Sequence, residues 1–334
     1  MDLAASLPFT QTIVRGFGRS KISVAISLVI VVIAAATLYH LLRGIDVGKV
    51  IAALGAQSGL HILISAMLVV AGYTNLVCYD LFALHTIGKH KIPLRVAAFA
   101  SFTSYTIGHS LGAATVTCGL LRFRVYSFWN LNIVDVAKIA FVTGMTFWLG
   151  NIFVLGTAVT YQPDALGVFD QLPPWINRLI GLTGLFVLAC YLLWLIPQPR
   201  IVGRANWRIS LPDLRRTLLQ VGIGTLDRCL ASLSIFMLLP NSPSVGLATI
   251  VVVFVLATLL GAASHTPGSL GVVEAAILIG LPQYPREDLL ATLLTFRVLD
   301  FFLPLLLATF MFGLRELRLL ARRHGRHTDT PVTL

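Results

Sequence analysis

Long apolar segments constrain this chain more than any other feature. The run from Ile22 to Leu42 has no Asp, Glu, Lys or Arg and is long enough to cross a hydrocarbon core, which takes about 20 helical residues. Similar segments follow at about 60–82, 96–118, 132–160, 175–196, 217–240, 246–281 and 289–312. Only 12% of the 334 residues are charged, against roughly 25% in soluble domains. The sequence therefore predicts an all-α, polytopic integral membrane helix bundle, with one transmembrane domain over 22–314.

The positive charge of the chain orients these segments. The formal net charge is +11, but Lys and Arg lie in short clusters between apolar segments, which is typical of cytoplasmic loops and of contact with anionic lipids. These clusters lie in the tail 1–21, the loops 83–95, 117–131 and 198–216, and the tail 315–334. The loops 161–174 and 241–244 have no Lys or Arg and face outward. We expect both termini in the cytoplasm and no nucleic-acid partner.

The segment 96–118 conflicts with these loop charges if it crosses the membrane once. The loops on its two sides, 83–95 and 117–131, are both basic and belong on the same side. A hairpin that enters and leaves from the cytoplasm resolves the conflict, with its turn around Gly108 and Gly112. Such irregular backbone is tolerated at membrane depth only where protein buries it.

The segment 246–281 raises the same conflict, because one crossing would place the Arg-rich C-terminal tail outside. A hairpin from the outer face returns the tail to the cytoplasm. The stretch "SHTPGSLG" supplies its turn, since Pro267 lacks a backbone donor and Gly268 and Gly271 permit a tight bend.

Two triplets of segments then run in opposite senses, each with a re-entrant hairpin between two spans. They are 60–82, 96–118 and 132–160, and 217–240, 246–281 and 289–312. Inverted repeats that meet through broken helices are the architecture of many transporters, and the breaks often mark the binding site. Ordinary spans with Gly and Pro kinks are the alternative.

Ionisable residues within the apolar segments are candidates for a functional site, because a charge at the helix centre costs about 2.5–3.5 kcal/mol on insertion scales. Asp227 and Arg228 are adjacent, so on a helix they point about 100° apart and are expected to need other partners. Arg297 and Asp300 are three residues apart and are expected to share a face, which permits an intrahelical pair. Ion pairs that only stabilise helix packing are the alternative.

Glu274 follows the Pro-Gly break by one to two helical turns. Its carboxylate suits a cationic group or a bound arginine, and Arg297 or Arg228 could supply that arginine. The free N–H groups of a helix start suit an anion such as phosphate. Capping of its own helix is the alternative role for Glu274.

His109 and His265 occupy the two breaks. No metal-binding motif accompanies them, so we expect no metal and interpret both as hydrogen-bonding groups for broken-helix carbonyls or lipid phosphate. Arg122 and Arg124 follow the first hairpin, where they are candidates for phosphate binding at the cytoplasmic interface. A plain positive-inside role is the alternative for both arginines.

Four stretches together resemble the transmembrane-region family of lysylphosphatidylglycerol synthases, the membrane module of MprF-type proteins, over roughly residues 20–315. They are "GHSLGAATVTCGLLRFRVYS", "VDVAKIAFVTGMTFWLGN", "SHTPGSLGVVEAAIL" and "LLTFRVLDFFLPLLLA". The family pattern covers His109, Gly112, Gly119, Arg122, Arg124, Pro267, Gly268, Leu270, Gly271, Glu274 and Arg297. Two positions depart from it: Ser269 replaces a usual Gly, which should tighten the turn, and Asp300 replaces a common aromatic.

The resemblance implies a bacterial inner-membrane protein that flips a phospholipid or a related lipid, such as aminoacylated phosphatidylglycerol or a hopanoid-type lipid. We expect no enzyme activity and no cofactor, because no soluble synthase segment follows residue 320 and no catalytic motif is evident. An intramembrane lipid-modifying enzyme, or a scaffold for one, is the alternative. A homo-oligomer and a separate lipid-modifying enzyme are the protein partners that the sequence leaves open.

Overall fold

The computed structural model describes residues 46–111, 114–196, 201–204 and 207–328. The predicted first span at 22–42, the tail at 1–21 and Gly112 lie outside the described residues. The helices are α1 (Val47–Ala56), α2 (Gly59–Thr86), α3 (Leu94–Ser110), α4 (Ala114–Tyr126), α5 (Ile133–Tyr161), α6 (Asp164–Asp170), α7 (Pro174–Trp194), α8 (Leu214–Leu238), α9 (Leu247–Ser264), α10 (Val272–Gly280), α11 (Arg286–Arg297) and α12 (Leu303–Thr328). Short 3₁₀ turns at Ser127–Trp129 and Pro267–Ser269 and a π-helical turn at Val298–Phe302 complete the helical part.

The predicted all-α, polytopic membrane bundle is confirmed. Within the described ranges, six helices are long and apolar enough to cross a membrane. They are α2, α5, α7, α8, α9 and the continuous stretch Arg286–Leu319. One element departs from the helical pattern: the basic loop 198–216 contains an antiparallel pair of strands, β1 (Ile201–Arg204) and β2 (Trp207–Ser210), with Ile201 opposite Ser210. Hydropathy did not indicate these strands, because the loop is neither long nor apolar.

Helices α2, α5 and α8 pack against one another at the centre of the bundle. The crossing of α5 and α8 is close because each helix has a glycine there: a Cβ on Gly150 would lie 2.3 Å from the Gly224 carbonyl carbon. Helix α7 packs on α5 in a similar way, where a Cβ on Gly181 would lie 2.8 Å from the Gly156 oxygen. Small residues at helix crossings are the usual means of close packing in membranes.

Both segments predicted as hairpins form interrupted helix pairs. In the first broken pair, α3 ends at Ser110, α4 begins at Ala114, and the two helices pack against each other. In the second broken pair, α9 packs against α10 and the interruption runs from His265 to Gly271. The turn is tightest at Gly268, which has a φ of +61° and where a Cβ would lie 2.7 Å from the Phe301 ring. Re-entry of the two pairs from opposite membrane faces stays a prediction.

The packing partners of the two broken pairs are equivalent. Helix α3 packs on α2, the helix before it, and on α12, the last helix of the other triplet. Helix α9 likewise packs on α8, the helix before it, and on α5, the last helix of the other triplet. Helix α3 also contacts the Pro267–Ser269 turn. The contacts therefore follow the predicted repeat and bring the second interruption against the first broken pair.

Each broken pair has an apolar core of its own. The core of the second pair joins α8, α9, α10 and α11, with Ile235, Ile250 and Ile277 almost fully buried. The core of the first pair joins α2, α3, α4 and α5, with Ala100 and Ile139 fully buried. These cores fix the positions of the charged side chains on the same helices.

Candidate functional site

Arg297 on α11 holds the turn of the second broken pair. Its Nε donates to Glu274 Oε1 at 2.5 Å, its Nη1 to the Gly268 carbonyl at 2.9 Å and its Nη2 to the Ser269 carbonyl at 3.4 Å. The other oxygen of Glu274 accepts from the Gly271 amide at 2.7 Å, which caps α10. We call Arg297, Glu274 and the two carbonyls the arginine clamp. Glu274 therefore has both roles that the sequence offered, helix cap and arginine partner.

The geometry of the turn explains why a cation is bound there. Ser269 has a left-handed φ of +52°, and Gly271 has a φ of +82°. With Gly268 also left-handed, the chain reverses within a few residues and the carbonyls of Gly268 and Ser269 reach the guanidinium of Arg297. Helix carbonyls that lack intrahelical partners need another donor when they are buried. Arg297 is that donor.

The intrahelical pair that the spacing of Arg297 and Asp300 permits is not formed. Arg297 bonds to Glu274 instead, because α10 presents that carboxylate directly to the guanidinium. Asp300 lies in the π-helical turn Val298–Phe302, and its backbone carbonyl accepts from the Tyr73 hydroxyl at 2.9 Å. In the described part of the chain, no hydrogen bond or ion pair reaches the Asp300 carboxylate, although Arg297 and Arg228 are within electrostatic range.

The expectation that Asp227 and Arg228 need other partners is wrong. Arg228 Nε donates to Asp227 Oδ2 at 3.0 Å, and its Nη2 bonds to the same oxygen. The long arginine side chain bends back across the 100° between adjacent positions, and its guanidinium lies over the Phe147 ring, 5.2 Å from the centroid. The side chains are 9% and 15% exposed, so this pair lies in the bundle interior.

The buried Tyr79 hydroxyl lies beside this pair. Tyr79 is 1% exposed, and Asp227 and Arg228 are its charged neighbours. Asp227 is close enough to interact with the Tyr79 hydroxyl as a hydrogen-bond acceptor. Polar side chains of α2 and α8 therefore meet in the bundle interior.

Arg122 lies in the first broken pair, where it is buried against α2. It forms a two-bond pair with Asp80 of α2, Nη2 to Oδ1 at 2.7 Å and Nε to Oδ2 at 3.2 Å. The Tyr126 hydroxyl also donates to Asp80 at 2.8 Å. The guanidinium lies over the Tyr105 ring, 4.8 Å from the centroid. The two charged side chains are only 3% and 0% exposed, so protein encloses this guanidinium, and phosphate binding by Arg122 at the cytoplasmic interface stays a prediction.

Asp80 is the site residue that the sequence interpretation missed. It is a carboxylate within the apolar stretch "LVCYDLF", which is the same signal that identified Asp227 and Asp300.

Arg124 lies at the surface end of α4, as expected for a loop arginine. It contacts Glu316 of α12 at 2.6 Å, and Arg315 contacts the other oxygen of Glu316 at 2.9 Å. Both guanidinium groups also lie near the Phe128 ring. This cluster attaches the first broken pair to the last helix and is not part of the interior site.

The two histidines lie at the interruptions. His109 is the penultimate residue of α3 and its ring stacks on Tyr105 with centroids 5.7 Å apart. His265 ends α9 in a left-handed conformation, and its Nδ1 lies 2.8 Å from the Ala263 carbonyl. Across the described ranges, no group of three or more His, Cys, Asp or Glu side chains is placed to hold a metal ion.

A separate cavity of about 300 Å³ lies between α1, the start of α2, the end of α8 and the start of α11. Its polar lining comes from Gln57, Ser58, His61, Asn241, Asp288 and Thr292. None of these residues was singled out in the sequence. The cavity does not include the charged pairs of the interior.

Comparison with known proteins gives two relatives of similar length. No protein-family model matches the chain. The uncharacterized protein slr0712 of Synechocystis is 31% identical over 253 residues, which are 75% of this chain and 78% of the relative. The inner membrane protein YbhN of Escherichia coli is 30% identical over 260 residues, which are 76% of this chain and 80% of the relative.

Proposed function

This chain belongs to the family of the inner membrane protein YbhN of Escherichia coli, and we propose that it moves a phospholipid or a related lipid between the leaflets of a bacterial inner membrane. The resemblance to the membrane module of lysylphosphatidylglycerol synthases supports the same proposal. It favours an anionic or aminoacylated phospholipid, or a hopanoid-type lipid, as the substrate.

The arginine clamp is the observation that carries the proposal. It places a guanidinium beside an interrupted helix inside the bundle, and its Arg297 and Glu274 side chains are 14% and 16% exposed. Three of the five N–H groups of Arg297 are engaged, by Glu274 and the turn carbonyls. The remaining donors match the oxygens of a phosphate, which arginine binds in a fork geometry.

A headgroup phosphate would compete with Glu274 for Arg297. Because Glu274 also caps α10, its release from Arg297 loosens the turn of the second broken pair. Helix α3 contacts that turn, so the first broken pair responds to the same event. Arg228 supplies a second guanidinium in the interior, while the acyl chains remain in the surrounding lipid. Return of Glu274 to Arg297 restores the closed turn.

The test is lipid movement in vesicles that contain the purified protein. Fluorescent phosphatidylglycerol should redistribute between leaflets faster than in protein-free vesicles. Glu274→Gln and Arg297→Met should each slow this movement by roughly tenfold or more, the effect of losing about 1.4 kcal/mol of interaction. Unchanged rates in both variants would refute the assignment of the site.

Arg216→Met is the matched control. Arg216 is an arginine on α8 that is half-exposed near Asp213 at the start of the helix, outside the interior pairs. The same substitution there should leave the rate of lipid movement unchanged. A loss comparable to that of Arg297→Met would show that the assay reports general charge loss rather than the clamp.

A further inference from the structure

Over the described ranges, the interior of the bundle contains one more carboxylate than arginine, and that carboxylate is Asp300. Among the described residues, three arginine–carboxylate pairs lie inside the bundle: Arg122 with Asp80, Arg228 with Asp227 and Arg297 with Glu274. Each arginine charge is therefore matched by a carboxylate. Asp300 is a further carboxylate in the same region, with no ion pair of its own in the described part. An ionised carboxylate without a partner is unfavourable in a membrane interior, and a bound proton removes the charge.

The position of Asp300 connects it directly to the arginine clamp. It lies three residues after Arg297, in a π-helical turn. Such turns inside helices occur frequently at functional sites and permit local changes of register. Arg297 therefore has two carboxylates within reach of its flexible side chain: Glu274 on α10, which it binds in this structure, and Asp300 on its own helix.

On this basis, and resting on the proposed function, we propose that Asp300 is the proton-binding site that couples lipid movement to a proton gradient. The ionised Asp300 carboxylate attracts Arg297 away from Glu274 and opens the clamp. A proton taken up from one side converts Asp300 to the neutral acid, which releases Arg297 to Glu274 and closes the turn. Release of that proton to the other side regenerates the carboxylate, so no group is consumed.

The groups that face Asp300 fit this exchange. Its charged neighbours are Arg297, at the end of α11, and Asp227 and Arg228, on α8. From α2, the Tyr73 hydroxyl binds the Asp300 backbone carbonyl at 2.9 Å, which leaves the carboxylate itself available. Glu274 on α10 faces Asp300 only through Arg297. Arg228 is already bound to Asp227, so Arg297 is the arginine whose partner can change.

The experiment uses fluorescent phosphatidylglycerol in vesicles that contain the full chain, with a pH gradient imposed and the membrane voltage clamped by potassium and valinomycin. A gradient of about one pH unit is a roughly tenfold ratio of proton concentrations, so one proton per lipid sustains up to a roughly tenfold difference in labelled lipid between leaflets. The wild-type protein should produce such an asymmetry, and reversing the gradient should reverse it. Asp300→Asn, which cannot ionise, should leave Arg297 on Glu274 for more of the time, so it should move lipid more slowly and without any asymmetry.

Two further variants separate loss of coupling from loss of folding. Asp300→Glu keeps a titratable carboxylate and should retain the response to the gradient. Asp164→Asn removes an exposed carboxylate on α6 and should behave as wild type. All variants are compared at equal amounts of monodisperse protein.

The outcomes distinguish this inference from the proposed function. If the wild-type protein moves lipid but ignores the gradient, or if Asp300→Asn responds as wild type does, the Asp300 inference is refuted and the proposed function stands. A response lost equally in Asp164→Asn also refutes it. If the wild-type protein moves no lipid at all, the proposed function fails, and this inference with it.

Discussion

Each of the two broken helix pairs is held by an arginine–carboxylate ion pair. The arginine and the carboxylate exchange places between the two, and the two ion pairs differ in exposure. In the first pair, the hairpin supplies the arginine, Arg122, and the preceding span supplies Asp80. In the second pair, the hairpin supplies the carboxylate, Glu274, and the following span supplies Arg297. The first pair of side chains is at most 3% exposed, whereas the second is 14–16% exposed.

This difference indicates that the Arg122–Asp80 pair holds its helices in place, whereas the Arg297–Glu274 pair can exchange partners. Asp80 accepts hydrogen bonds from Nε and Nη2 of Arg122 and from the Tyr126 hydroxyl. A ligand would therefore have to break three buried hydrogen bonds to reach Asp80. Arg297 binds backbone carbonyls of a strained turn and one carboxylate oxygen, and it has another carboxylate nearby. We infer that the first broken pair is fixed and that the second is the one that moves.

The largest effect is expected from Arg122→Met. It leaves Asp80 buried without a counter-charge, so the free energy of unfolding should fall by about 3–5 kcal/mol. Detergent titration of purified protein, followed by tryptophan fluorescence, measures this value. Arg297→Met should cost clearly less, since its pair is partly exposed. Equal losses of the free energy of unfolding in Arg122→Met and Arg297→Met would contradict the distinction between the two broken pairs. The double variant Asp80→Leu/Arg122→Met should recover part of the stability.

A smaller effect is expected from Gly108→Ala at the end of α3. The added Cβ would lie 2.3 Å from the Cys118 sulfur and 3.0 Å from its amide nitrogen, so α3 and α4 must separate. Overpacking of this kind costs about 2 kcal/mol. The same titration measures it, and Cys118→Ala in the Gly108→Ala background should restore only part, because the backbone contact persists. Full tolerance of Gly108→Ala would show that the first broken pair is not rigid.

Tyr126→Phe tests the third hydrogen bond to Asp80. It removes the hydroxyl that donates to Asp80 at 2.8 Å while retaining the ring. Loss of a hydrogen bond to a charged group should lower the stability by about 1.5 kcal/mol. The rate of lipid movement should stay unchanged if the contacts of Asp80 with Arg122 and Tyr126 only stabilise the fold. A slower rate at normal stability would place the first broken pair in the transport step.

The smallest effect is expected from Glu316→Gln. Glu316 joins Arg124 and Arg315 at the surface, with Arg124 47% exposed, and such pairs contribute roughly 0.5 kcal/mol. The midpoint of thermal unfolding should fall slightly at low salt and not at high salt, because salt screens exposed charges. A loss as large as that of Arg122→Met would show that this surface cluster, rather than the buried pair, fixes the first broken pair.

The sequence by itself determined the membrane bundle and, from residue 59 onward, the approximate places of its long helices and of the second interruption. Hydropathy over about 20 residues and the Pro and Gly residues near 267–271 are local properties of the chain, so they can be recognised without knowledge of the fold. The β-strands Ile201–Arg204 and Trp207–Ser210 were not predicted, because hydropathy over about 20 residues does not register strands of four residues.

The tertiary structure decided which of the possible partners each charged residue has. Arg122 and Asp80 are 42 residues apart, and Arg297 and Glu274 are 23 apart, so their pairing depends on which helices pack together. The sequence permitted either Glu274 or Asp300 as the partner of Arg297 and suggested distant partners for Arg228, whereas the structure pairs Arg297 with Glu274 and Arg228 with Asp227. A long arginine side chain reaches any carboxylate within several ångströms, and only the packed helices determine which carboxylate that is.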